Sequence, residues 1–242
     1  MKDPIPQGGL RVLIIGAGEL GQVAADILLQ NQRLTHAVEP VGFVDGDSSL
    51  VGWQYLGLSV LGGISALARI PHDAVLIAEG DNAARCQLYE RLLRGGATFA
   101  TARHCDAAIA RDVAIGPGTI VCARAVIGPG TVIGADSVLD SGCCVAHNSR
   151  LSGHVYIGSA AYLSGEVVVG EGAMIGADVT VLTRRRIGAW SRVGAGSIVE
   201  HDVPDGLGSS KTPAVPVGLA LNARQPAGYR APVRTRCLRP IR

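Results

Sequence analysis

From Ile109 to Val199 a branched aliphatic side chain recurs at every sixth position without a slip: Ile109, Ile115, Val121, Ile127, Ile133, Leu139, Val145, Leu151, Ile157, Leu163, Val169, Ile175, Val181, Ile187, Val193 and Val199. The next residue is commonly glycine, as in Ile115-Gly116, Ile133-Gly134 and Ile175-Gly176, and the residue four positions on is small or β-branched except at Arg185. A helix would repeat every 3.6 residues and a strand every 2, so neither explains a period of six. One short strand plus one turn does. The aliphatic points inward, the small residue fits beside it, and three such units close one coil, so equivalent residues stack about 4.8 Å apart. A unit of this size buries its apolar face only against its neighbours, which predicts a solenoid.

Residues 10–105 follow a different pattern, apolar runs alternating with helical periodicity, as in a small parallel α/β unit. Arg11–Ile15 is a predicted buried strand. It runs into Gly16-Ala17-Gly18-Glu19-Leu20-Gly21 and a helix to about Gln30. A glycine turn between a strand and a helix N-terminus presents backbone N–H groups to an anion. A second strand, Val41–Val44, ends in Asp45, where an acid can bind a ribose or sugar hydroxyl. Leu61-Gly62-Gly63 and Ile64–Leu67 are expected as a loop and short helix, and Asp73–Ala78 as the third strand. Gly80-Asp81-Asn82 then opens a helix from Ala83 to about Leu93, and a last short strand falls near Ala97–Ala100. Three or four strands are too few for a full dinucleotide fold, so a site for one nucleotide is the expectation. The domains expected are a Rossmann-like unit at 1–105, a left-handed parallel β-helix at 106–205 and a C-terminal extension at 206–242.

Composition agrees with a narrow prism: 33 glycines and 4% aromatic residues leave few rings to accommodate. With 22 Lys plus Arg against 20 Asp plus Glu, the charge of +2 gives no general attraction to nucleic acid. Only the segment Arg224–Arg242 is strongly basic, and its prolines suggest an extended, solvated tail. Six cysteines without a CxxC pair or a disulfide spacing fit a reducing compartment, and no run is long enough to span a bilayer, so a cytoplasmic protein is expected.

A glycine turn, an acid after the second strand and then unbroken hexads together resemble one family, the hexapeptide-repeat sugar acetyltransferases. These include the N-acetyltransferases acting on UDP-4-amino-4,6-dideoxy sugars and the sialic acid O-acetyltransferases. The resemblance covers about residues 10–220. It implies that the first domain holds a nucleotide-linked sugar, that acetyl-CoA lies along the β-helix, that no metal takes part, and that homotrimers place each site between neighbouring prisms. It implies a cytoplasmic role in glycan or polysaccharide biosynthesis, by N- or O-acetylation.

Carried over by position, the resemblance makes His147 the general base, in a His147-Asn148 pair where relatives have an acid after the histidine. It puts acetyl-CoA near Tyr156, Gly165, Ala177 and Ala195, and the nucleotide sugar near Gly18, Glu19, Leu20, Asp45 and Gly80. Relatives often have Gly-His where Glu19-Leu20 stands, and a Gly-x-Pro-Ala closing element where this chain has Val217–Arg224. Histidine suits the chemistry, because acetyl transfer needs a base near neutral pH. His154 is two residues out of register and is expected to have a structural or surface role. Arg184-Arg185-Arg186 is expected to form a bulged, solvated corner. Cys143 and Cys144 lack a neighbouring base, which argues against an acyl-enzyme. Two alternatives complete the set: a carbonic anhydrase on the same prism, for which His104, His147 and His154 have the wrong offsets, and a sugar-nucleotide-binding solenoid that has lost catalysis.

Overall fold

The computed structural model describes residues 9–209 and 216–217. The basic tail Arg224–Arg242, the segment 218–224 and Cys237 lie outside the described residues. The first domain is built from β1 (Leu10–Ile15), α1 (Glu19–Thr35), β2 (Val38–Val44), β3 (Gln54–Tyr55), β4 (Leu58–Gly62), β5 (Ala74–Ile77) and α2 (Asn82–Arg94). Its sheet has the order β3-β4-β2-β1-β5, parallel except for the β3–β4 hairpin.

Five strands replace the three or four expected. The hairpin escaped the sequence pattern because its two-residue turn is Leu56-Gly57, both at positive φ (53° and 82°), and leucine is not a residue that announces such a turn. The strand expected near Ala97–Ala100 reduces to one bridge, Val75 to Phe99, because the chain passes at once into the prism strand Ala102–Arg103.

The remainder is a left-handed parallel β-helix of two-residue strands. One sheet runs from Ala108–Ile109 to Ile198–Val199, a second from Ala114–Ile115 to Arg186–Ile187. A third begins at Ala102–Arg103 and ends with Gly208–Ser209 and the antiparallel Pro216–Val217. Each strand pairs with the one a coil later, as Val126 with Cys144. The hexad aliphatics from Val121 to Val199 are at most 3% exposed and form one column-like core. Each contributes about 1.5–3 kcal/mol by burial.

The corners demand left-handed backbone, and Asp136, Asn148, His154, Glu166 and Arg184 all supply it without being glycine. The expected bulge at Arg184–Arg186 is absent: Val168 pairs with Arg186 and Val169 with Ile187 without a register shift. The arginines instead face outward and pair between coils, Arg184 with Glu166 at 3.1 Å, Arg185 with Asp202 at 3.8 Å and Arg186 with Asp205 at 3.6 Å.

α2 joins the two parts. Asn82 Nδ2 donates to the carbonyls of Gly172 and Ala173, each at 3.1 Å. Arg85, wholly buried, donates to the carbonyls of Asp136 (3.1 Å), His154 (3.0 Å) and Glu79 (3.0 Å), and its guanidinium lies 3.3 Å from the Asp136 carboxylate. Tyr89 stacks on Phe99 and meets the His154 ring edge-on.

Candidate active site

The carboxyl ends of β2, β1 and β5 lie side by side, and β1 is where the sheet's order reverses, the position at which open α/β sheets hold ligands. Gly16, at φ +103°, makes the turn there, and a Cβ on it would lie 2.7 Å from the Ala78 carbonyl. Gly18 caps α1 with no side-chain hydrogen bond, so the first-turn N–H groups remain open to an anion.

A cleft of about 550 Å³ opens over this edge. All five residues assigned to the sugar nucleotide, Gly18, Glu19, Leu20, Asp45 and Gly80, line it. Asp45 also serves the backbone: its Oδ2 accepts from the Ala17 N–H at 2.7 Å and its Oδ1 from the Asp47 N–H at 2.8 Å. The carboxylate thus pins the glycine turn, and each oxygen keeps a lone pair for a ligand.

The facing wall belongs to the prism and consists of Asp140 and Tyr156. Tyr156 is therefore placed in the sugar cleft rather than beside the other residues assigned to acetyl-CoA. Its hydroxyl donates to Asp140 Oδ2 at 2.9 Å, Ser159 donates to the same oxygen at 2.8 Å, and the Ser141 N–H to Oδ1 at 2.7 Å. Burial first, and Asp140 second, push the phenol above its usual range, so it stays a donor.

His147 lies elsewhere, exposed on the corner between the first and second sheets. Its Nδ1 is 3.2 Å from Asn148 Nδ2. The ring lies over Gly165, where a Cβ would sit 2.6 Å from both Cε1 and Nε2. A methyl group there would displace the imidazole. Ala177 and Ala195 are exposed and stacked one coil apart on another corner, between the third and first sheets, where the Gly196 N–H donates to the Ala177 carbonyl. One chain thus separates the assigned residues into a sugar cleft, an imidazole corner and an alanine column.

His154 is structural: buried, with Nδ1 2.8 Å from Asp136 Oδ2. Among the described residues no metal-type cluster contains two histidines. Burial pushes the Cys122 and Cys143 thiols up to about 12, and Cys144 is raised by the same cause, so none is poised as a nucleophile. Sequence reasoning missed Asp140, Ser159, Glu79 and Arg85. Asp140 carried a faint signal, a carboxylate beginning the Asp140-Ser141 turn.

Comparisons with known proteins agree with this architecture. The family model of the PglD N-terminal domain matches residues 11–92. No curated protein matches the chain by sequence. A histidine-to-asparagine mutant of perosamine N-acetyltransferase from Caulobacter crescentus, solved with CoA and GDP-perosamine, superposes with a TM-score of 0.78 at 30% identity, over 89% of this chain and 99% of that one. The acetyltransferase domain of PglB from Neisseria gonorrhoeae, solved with acetyl coenzyme A, gives 0.78 at 28% identity, over 87% and 100%. WeeI from Acinetobacter baumannii shares the fold at 21% identity and a TM-score of 0.51, over 85% and 99%. By a solved relative matched along almost its whole length, and by a prism and glycine-turn domain built alike, this chain belongs to the hexapeptide-repeat sugar acetyltransferases, which are acyltransferase enzymes.

Proposed function

We propose that the protein transfers acetyl from acetyl-CoA to the amine of a nucleotide-linked amino sugar, directly and without an acyl-enzyme, as a homotrimer. The observation that carries this reading is the cleft itself, which joins a phosphate-type glycine turn to a polar prism wall at the size of a nucleotide sugar. The pyrophosphate lies at the α1 N-terminus, and the sugar extends toward Asp140 and Tyr156. The relatives solved with GDP-perosamine and CoA support the pairing of substrates.

The sugar nitrogen attacks the thioester carbonyl, His147 takes the proton the nitrogen loses, and the carbonyl re-forms as CoA leaves as thiolate, which takes up a proton to become the free thiol. The imidazole must accept at Nε2, so the neutral ring carries its hydrogen on Nδ1. The Asn148 amide nitrogen stands 3.2 Å from Nδ1, and this tautomer requires a half-turn of the amide that brings its oxygen to that N–H, an orienting contact without charge. Because His147 does not line the cleft of its own chain, the base belongs to a neighbouring copy's site. Ala177 and Ala195 give the pantetheine arm a smooth corner to follow.

Full-length protein is to be mixed with acetyl-CoA and UDP-, GDP- or dTDP-linked amino sugars, reading free thiol release. Release with at least one amino sugar, reduced about 10²–10⁴-fold in His147→Ala, is the expected result. Sugar-nucleotide binding with no thiol release from any of them would leave a binding protein in place of an enzyme.

A further inference from the structure

A second cluster of reactive side chains lies outside the cleft, where α2 meets the prism. One ligand-type atom each of Cys86, His154 and Glu171 lies within 4.8 Å of the other two. Cys86 comes from α2, His154 from a prism corner, and Glu171 from the same corner one coil later, next to Gly172. No short sequence motif contains the three.

The histidine is already prepared as a ligand. It is buried, and its Nδ1 is held 2.8 Å from Asp136 Oδ2, whose other partner is the Arg85 guanidinium. A neutral imidazole donating from Nδ1 to a carboxylate keeps its lone pair on Nε2. A carboxylate behind the ring is the arrangement that orients and strengthens metal-binding histidines.

We propose that Cys86, His154 and Glu171 hold a zinc-class divalent cation that ties α2 to the prism. Sulfur, imidazole nitrogen and carboxylate oxygen together suit zinc, whereas magnesium and calcium take oxygen ligands and avoid a thiolate. Charge balances as well. A thiolate and a carboxylate neutralise a dication, and Asp136 already balances Arg85. Tetrahedral bonds of about 2.0–2.3 Å set ligand atoms roughly 3.5 Å apart, so the site closes by small rotations of Cys86 and the exposed Glu171. Cys86 also borders a cavity of about 600 Å³ with Trp190 and Asp205, from which water can take the fourth position. The site is separate from the sugar cleft and does not depend on the reaction proposed there.

The test uses full-length protein stripped with a chelator and titrated with Co²⁺, then Zn²⁺. One equivalent of Co²⁺ per chain should bind with a thiolate-to-cobalt charge-transfer band that Zn²⁺ removes, and Zn²⁺ should raise Tm. Cys86→Ser should abolish the band and the Tm response, and Glu171→Gln should weaken binding about 10-fold or more. The His104-Cys105-Asp106 turn, exposed at its last two residues, is the control, so Cys105→Ser should change nothing. The absence of a charge-transfer band, a band that survives in Cys86→Ser, or one lost in Cys105→Ser would each overturn the assignment.

Discussion

Asn148 answers two demands at one position. The corner requires left-handed backbone, which it meets at φ 57°, and the proposed base beside it calls for an orienting partner, for which its amide stands 3.2 Å from Nδ1. Asparagine is among the few residues that tolerate this conformation, so the corner geometry alone allows it there. What the amide cannot do is stabilise the imidazolium by charge. In Asn148→Asp the added carboxylate should stabilise the imidazolium formed as the ring takes the sugar's proton and raise kcat several-fold, read by thiol release beside the wild type. An unchanged kcat would mean that this imidazole does not take the proton. Gly165 makes the complementary case, because its lack of a side chain is what lets the ring lie where it does. Gly165→Ala should cut kcat about 10²-fold or more with Tm nearly unchanged, since small displacements of a reacting group are costly while the exposed ring contributes little to stability. Circular dichroism melts beside a turnover assay separate the two quantities. The thiols give a prediction of the opposite kind: in the folded protein Cys122 and Cys143, pushed up to about 12 by burial, should resist alkylation at neutral pH while Cys105 reacts. Mass mapping of labelled peptides checks it.

Among the elements, α2 links the parts of the molecule, and Arg85 is its most consequential residue. The same guanidinium holds the Glu79 carbonyl, beside the cleft, and the Asp136 and His154 carbonyls of the prism. Arg85→Met should cost about 3–5 kcal/mol, because it leaves the Asp136 carboxylate buried without its cation, and the double variant Arg85→Met, Asp136→Asn should recover part of that loss. Denaturant titration of the single and double variants measures the coupling. On the sheet's far side, Arg11 binds Asp73 at 2.9 Å and holds its carboxyl at about 2, below the ordinary value near 3.9. A depressed acid adds stability above its unfolded value and loses it as pH falls through the folded one. The Tm gap between wild type and Asp73→Asn should therefore be widest near neutrality and close between about pH 4 and pH 2. These elements also show what the sequence displays and what it withholds. The hexads announce themselves, because one inward position per strand repeats through every coil. The glycine turn does so because Gly16 and Gly18 sit between a strand and a helix. Arg85 gives no sign, since an arginine on a polar-looking helix has the pattern of a solvated one until the prism covers it. Asp140 stays hidden, and Tyr156 is assigned to acetyl-CoA rather than to the cleft it lines, for a related reason: periodicity says which residues face outward, but not which of three outward faces meets the first domain.

At the scale of the whole molecule, the proposed reaction draws its cleft and its base from two chains. The cleft opens on the third sheet through Asp140 and Tyr156, whereas His147 sits on the corner between the other two. A closed ring of identical chains solves this, since a rotation that brings one chain's corner to the next chain's cleft builds the same site at every interface. The consequence is testable without a structure of the assembly. His147→Ala removes the proposed base but keeps the cleft, and a variant such as Gly18→Glu, which places a side chain and a negative charge at the mouth of α1, should block the cleft but keep the imidazole. Each should be nearly inactive alone. Unfolded together and refolded as mixed assemblies, they should regain roughly a quarter of wild-type activity, because half of the clefts and half of the imidazoles are intact and they combine at random across interfaces. Were base and cleft supplied by the same chain, no mixture could place an intact imidazole beside an intact cleft, and activity would stay at the level of the separate variants. Sedimentation of the mixture alongside the activity assay makes the result decisive, since full assembly without recovery would count against the shared site and not against refolding.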